Sequence, residues 1–361
     1  MAFGEMLRLA RQRRRIRQNE AATKLGVSPT DLSRLENDAK EPTTAFIDKA
    51  ADAFGVPTNF FERTDRIYGA PVSVHPMWRK KGDVTGIELD AVIAELNVRV
   101  MHLRTLLQAT DIKPIRTLPE LDIEEWQDPD RIAGVLRAHW MIPKGPILNL
   151  TEIVEEAGIV VAHSNMGGSS ISGVTFRVPG VPPLIVLNSE QPADRMRHTL
   201  AHELAHVIMH RFPTATMEKE ADEFASCFLA PTTDIKHQWG GGRVDLARLA
   251  SLKREWHMSM ASLVFVADRC GKLTTAQKNY LWQQFAMKKI RMSEPPELDF
   301  PREQPTILSN LLRLHIDNLG YKLADLGRIL AMTTEELPKF YDLTNALEKR
   351  TPPSRGLRIV R

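Results

Sequence analysis

The chain has 361 residues, 43% of them hydrophobic, and a formal net charge of +3. That length has room for two or three domains, and that charge excludes a polycation. Two cysteines, Cys227 and Cys270, exclude a disulfide scaffold and fit a reducing compartment, with Cys227 read as a small core residue. No signal-peptide core follows the basic start, and no apolar run reaches the ~18 residues of a membrane span. A cytoplasmic protein without membrane association is expected.

Residues 1–17 hold Arg8, Arg11, Arg13, Arg14, Arg15 and Arg17 against Glu5, a local basicity that suggests a polyanion partner. Glu5–Arg15 reads as an amphipathic helix with Leu7 and Ala10 inward, followed by a short helix at Gln18–Leu25. Gly26-Val27 is a turn in which glycine takes the left-handed conformation. Ser28 caps the next helix, Pro29 fits its first position, and Asp31 completes a capping-box-like arrangement. That helix runs to about Asn37. Another covers Phe46–Phe54 and ends at Gly55-Val56-Pro57.

This is a helix-turn-helix plan with Ser28–Asn37 as recognition helix. The stretch from Leu7-Arg8-Leu9-Ala10-Arg11 through Lys24-Leu25-Gly26-Val27-Ser28, Leu32-Ser33-Arg34-Leu35-Glu36-Asn37 and Pro42 to Phe54-Gly55-Val56-Pro57 resembles the XRE/Cro-repressor family. The resemblance implies double-stranded DNA as partner. Gln18 would contact its backbone, and Thr30, Ser33 and Arg34, with Ser28 at the helix start, would face it. Asp31 either caps or faces DNA. One such domain reads a short half-site, so a homodimer is expected. A route is offered by Leu89, Ile93, Leu96, Val100, Leu103 and Leu107, spaced as a short heptad seam. The alternative is ordinary packing within the chain. Residues 66–86, rich in Gly and Pro and carrying Arg79-Lys80-Lys81, read as a linker.

Asp128–Trp140 and Leu148–Ala157 read as helices. Ile159–Ala162, Gly173–Val178 and Leu184–Leu187 read as short strands. Then comes His202-Glu203-x-x-His206 inside the apolar helical run 198–210. Residues i and i+4 share a helix face, so both imidazoles can reach one ion, with Glu203 beside them as acid/base. A metal site of this kind needs a third protein ligand. The helix from Glu218 to Leu229, stopped by Pro231, offers Glu218, Glu220 and Glu223. Glu220 lies one turn before Phe224 on the apolar face, where an acid needs a partner, so it is favoured as ligand. Glu218 and Glu223 lie toward the polar side. His198 and His210 extend the histidine stripe as candidate partners behind the ligands or as transition-state donors; a hydrogen-bonded core role is the other reading of His210.

Arg195-x-Arg197-x-Thr199-Leu200-Ala201-His202-Glu203-Leu204-Ala205-His206, Glu220-Ala221-Asp222-x-Phe224-Ala225 and Phe228-Leu229-Ala230-Pro231 resemble the ImmA/IrrE metallopeptidases, with a DUF955-type domain. Gly173, Leu184–Asn188 and Asp194 also fit. The resemblance covers roughly residues 130–300. It implies that His202, His206 and Glu220 bind zinc, with manganese as the other metal suited to this donor set, and that Glu203 is catalytic. Ala205 stands where the family usually has Gly, and His198 where it usually has an aromatic.

Leu246–Trp256 and Ser259–Arg269 read as helices, and an all-helical tail follows Ser293. Leu326–Leu337 overlays on Ala21–Leu32 as a weaker helix-turn-helix. Glu335 and Glu336 would then face phosphate, which favours a structural or dimerising helix pair instead.

The expected fold is mainly α with a small sheet (α+β). Residues 1–65 form the DNA-binding domain, 66–125 a linker and long amphipathic helix, 126–292 a zincin-like metallopeptidase domain, and 293–361 the helical tail. The expected function is a DNA-binding, nucleoid-associated zinc endopeptidase acting on a repressor or antitoxin-like partner in gene control. The alternative is a transcription regulator whose metal domain senses or scaffolds without cutting.

Overall fold

The computed structural model describes residues 3–71, 85–166, 171–291, 293–343 and 356–359. Most of the expected linker, including Arg79-Lys80-Lys81, falls outside the described residues. The architecture is α+β, with helices predominating and a small sheet. No helix among the described residues is long and apolar enough to cross a membrane.

The N-terminal bundle holds α1 (Phe3–Arg13), α2 (Gln18–Leu25), α3 (Pro29–Glu36) and α4 (Thr44–Phe54). Gly26 takes φ 65° to turn α2 into α3, and Ser28 Oγ accepts the Asp31 N–H at 3.0 Å. Leu7, Ala10, Leu25, Leu32 and Phe54 form its core. A buried ion pair ties α1 to the end of α3: Arg11 donates to both Glu36 carboxylate oxygens, at 2.6 and 3.0 Å.

Several arginines of the basic run are engaged within the chain. Arg8 donates to the Glu36 carbonyl and Asn37, Arg13 and Arg14 both grip Glu336, and Arg14 also donates to the Phe54 carbonyl. Charge counting finds such a run but not its partners, because those partners are distant in sequence.

Helix α5 (Gly86–Leu106) opens on a capping box between Thr85 and Glu88. It is buried on all sides rather than amphipathic, down to Asn97, Arg99 and His102. Leu89, Leu96, Val100 and Leu103 of the heptad-like seam are buried inside this single chain, so the seam is packing and not a dimer face. Its neighbours are α1 on one side and the tail helices on others.

After α5 come β1 (Thr110–Ile112), α6 (Pro129–His139), α7 (Leu150–Glu156), β2 (Val160–Ser164), β3 (Gly173–Phe176) and β4 (Leu184–Asn188). Helices α8 (Ala193–Met209), α9 (Met217–Leu229), α10 (Leu246–Trp256), α11 (Met260–Arg269) and α12 (Thr275–Met287) follow. The tail contains α13 (Ile307–Asp317), α14 (Leu323–Leu330) and β5 (Leu357–Ile359), which pairs with β1. Helix α12 was not foreseen, although Thr274 and Gln277 spell its capping box.

The main sheet runs β2-β4-β3, with β2 parallel and β3 antiparallel to β4. Both faces are buried. Val160, Ala162, Val174, Phe176, Leu184 and Val186 join the core shared by the N-terminal bundle, α5 and the tail. Val161, Ile185 and Leu187 join the second core, under α8 and α9. This two-sided burial explains why the strands read as apolar runs and not as alternating patterns.

The tail is fastened at several points. Glu155 accepts from Thr306 N–H, Thr306 Oγ1 and Ile307 N–H at 2.8, 2.8 and 3.1 Å. Asn59 and Arg63 donate to the Arg328 and Ile329 carbonyls. Glu336 therefore binds arginines of the first bundle instead of facing phosphate. Leu103→Ala is expected to lower unfolding free energy by about 2–5 kcal/mol in urea titrations, with the sedimentation mass unchanged. A change of mass would restore the dimer seam.

Candidate metal centre and DNA interface

Helix α8 carries His198, His202 and His206 at four-residue spacing, and His210 follows directly as its C-terminal cap residue. Helix α9 packs along it. Ala201 and Ala205 on one helix and Ala221 and Ala225 on the other are fully buried, and such small side chains permit close approach. The C-terminal end of α9 is held by two arginines. Arg137 donates to the Phe228 carbonyl, and Arg269 to the Ser226 and Ala230 carbonyls. Its N-terminal end points its first-turn acids at the histidines.

His202 Nε2 and His206 Nε2 lie 3.1 Å apart. Glu218 Oε2 is 3.6 Å from His202 Nε2, and Glu218 Oε1 is 3.4 Å from His206 Nε2. Ligand atoms of His202, His206 and Glu218 all lie within 4.8 Å of one another. Glu220, the carboxylate expected from sequence, is not in this group; its Oε2 lies 3.2 Å from His210 Nε2. The reason is helical phase. Glu218 precedes Ala221 by three and Ala225 by seven, so it shares their stripe against α8, whereas Glu220 follows the Phe224 line. Asp222, four residues after Glu218, bonds the other nitrogen of His202, Nδ1, at 2.8 Å. The spacing Glu218-x-x-x-Asp222 was the available signal.

Charge is distributed to favour a cation here. Burial opposes protonation of His202, but Asp222, Glu218 and Glu203 outweigh it and push its pKa up to about 10. Burial likewise opposes ionisation of Glu218, yet bonds to His202 and His206 hold it down to about 2. Burial first, and then the neighbouring His206, bring His210 down to about 4 despite Glu220. The donor set suits a divalent ion, since two imidazole nitrogens and a carboxylate converge. Cys227, on the same helix, is buried, and burial pushes its thiol up to about 12. It is a core residue.

Glu203 is buried beside this group, and the Thr175 hydroxyl of β3 lies 2.7 Å from its Oε2. Strand β3 is an edge of the sheet and runs against α8. Gly173 permits that approach, since a Cβ there would sit 2.6 Å from Thr199 Cγ2 and 3.2 Å from Glu203 Cγ. His198 is half-buried one turn before His202; burial lowers its pKa against the pull of Asp222. It lies outside the three-residue cluster, as does His163 on β2. Arg197 pairs with Glu303 and donates to the Ile147 carbonyl, a structural role.

On the first bundle, Ser28, Thr30 and Arg34 are exposed and Ser33 is half-buried, all on or at the start of α3. The Ser28 hydroxyl closes the cap with Asp31, which also pairs with Lys40. Gln18 is half-buried and its amide donates to Glu36 at 3.0 Å, so part of its hydrogen-bonding capacity is already engaged.

Comparison with known proteins finds matches for two separate stretches of the chain. Residues 2–63 match the model of a helix-turn-helix domain, and residues 154–266 match that of the IrrE N-terminal-like domain, a peptidase family. The HTH-type transcriptional repressor RghR of Bacillus subtilis (strain 168) is 42% identical over 57 residues, 16% of this chain. The matched stretch spans 42% of that repressor's length. The chain thus joins an XRE-type helix-turn-helix domain to an IrrE-like peptidase domain. Gly173→Ala is expected to cost about 1–3 kcal/mol by forcing β3 off α8, read as a lowered melting temperature. An unchanged melting temperature would contradict the tight contact.

Proposed function

We propose that the protein is a DNA-binding regulatory zinc endopeptidase, with residues 1–65 reading DNA and 126–292 forming the peptidase unit. The observation that carries this reading is the convergence of His202, His206 and Glu218 next to the buried acid Glu203. His202, His206 and Glu218 would hold the ion, zinc before manganese because imidazole suits zinc well. A zinc ion bound there supplies Lewis acidity toward a peptide carbonyl and makes a water easier to deprotonate. Glu203 takes that proton on its carboxylate and delivers it to the leaving amine. Thr175 keeps the carboxylate oriented through its hydroxyl. An extended substrate would add as a further strand along the edge of β3, which passes Glu203.

The reader gives the cleavage its purpose. Thr30, Ser33 and Arg34 on α3 would meet base edges and phosphates in the major groove. Homodimerisation on a two-fold operator would use a surface other than α5. The substrate class that fits is a repressor or antitoxin-like protein encountered at the DNA, in the cytoplasm and at the nucleoid. Glu203→Gln is expected to abolish cleavage of a co-expressed repressor encoded beside this protein while metal content and operator binding persist. Wild type that is loaded with zinc and leaves every such partner intact would reduce the metal domain to a sensor or scaffold. Arg34→Ala is expected to weaken operator binding by about 1–3 kcal/mol, and equal loss on unrelated DNA would assign Arg34 to backbone contact only.

A further inference from the structure

Beyond the three converging side chains, a second line of contacts runs away from His206. His206 Nδ1 lies 3.0 Å from His210 Nδ1, and His210 Nε2 lies 3.2 Å from Glu220 Oε2. The His210 side chain is fully buried at the end of α8. We propose that Glu220 and His210 are positioning residues for the metal centre, with Glu220 fixing the His206 ring through His210. The inference rests on the metal reading above and deepens it.

Hydrogen-bond bookkeeping selects one proton arrangement. For His206 to present an unprotonated Nε2 to an ion, its Nδ1 must carry the proton and donate it to His210 Nδ1. His210 Nδ1 is then the acceptor, so its own proton sits on Nε2 and is donated to Glu220 Oε2. Each imidazole is neutral and each nitrogen has one role. His202 reaches the same state in one step, since its Nδ1 donates directly to Asp222. The two ligand histidines are thus held by two carboxylates, one directly and one through an imidazole. A backing carboxylate fixes the tautomer and orientation of a ligating histidine. This gives Glu220 a partner on its half-buried face, and explains how it lies near the site without being in the cluster.

The test uses the full-length chain, with Zn2+ affinity from competition against a chromophoric chelator and Co2+ absorption spectra as the readout of coordination. Glu220→Ala is expected to weaken Zn2+ binding roughly 10- to 100-fold, with the intensity of the Co2+ bands retained and their positions shifted. Glu220→Gln, whose amide oxygen still accepts from His210, recovers most of the affinity. The pair Glu220→Ala and His210→Ala combined is no weaker than the worse single variant, because they act as one unit. Glu218→Ala loses far more affinity and changes the Co2+ band intensity. Wild-type affinity in both Glu220 variants overturns the relay. So does full additivity, and so does loss of binding in Glu220→Ala with Glu218→Ala unaffected, which makes Glu220 a ligand. Failure of wild type to bind any metal overturns instead the metal reading underneath.

Discussion

The structure depends on a three-stranded sheet buried on both faces. One face completes the core of the N-terminal bundle, α5 and the tail, and the other carries the histidine helix α8. Strands with two apolar faces have no solvent side, so neither half can be peeled away without exposing β2, β3 or β4. Helix α5 extends the same constraint. It is buried all round, and its polar residues are answered from several directions: Asn97 bonds the Tyr68 backbone, Arg99 pairs with Glu95 and stacks on Phe340, and His102 bonds Tyr341. The helix-turn-helix bundle and the histidine helix α8 therefore lie over the two faces of one sheet.

Within that arrangement, the proposed metal centre follows from helix phase. Four-residue spacing puts His202 and His206 on one face of α8, and the Ala221 and Ala225 stripe of α9 brings Glu218 to them. Glu203 is turned to β3, where Gly173 clears the space and Thr175 supplies a hydroxyl. Asp222 stands behind His202, and Glu220 stands behind His210, which in turn contacts His206. The centre accumulates negative charge around nitrogen donors, which is the electrostatic condition for holding a divalent cation.

Much of this was legible in the sequence because local signals and tertiary demands agree. The Ser28 cap, the Gly26 turn and the apolar spacing around Leu7, Leu25 and Leu32 state the first bundle. The five residues from His202 to His206 state the face of α8. The points the sequence left open share a cause: each needed knowledge of what lies opposite. The heptad-like spacing of Leu89 to Leu103 is the same for a dimer seam and for a helix buried within its own chain. The partners of Arg11, Arg13 and Arg14, which are Glu36 and Glu336, lie far away in sequence. Glu218 and Glu220 differ by 200° around one helix, so counting from Phe224 favours Glu220 while the Ala221 stripe brings Glu218 to the two imidazoles.

X-ray absorption at the zinc edge, on metal-loaded full-length wild type and Glu218→Ala, tests the central assignment most directly. The account predicts two imidazoles and carboxylate oxygen, with nitrogen at about 2.0–2.1 Å and no sulfur, and loss of the protein oxygen in the variant. An unaltered spectrum in Glu218→Ala, or sulfur in the wild-type shell, would contradict it.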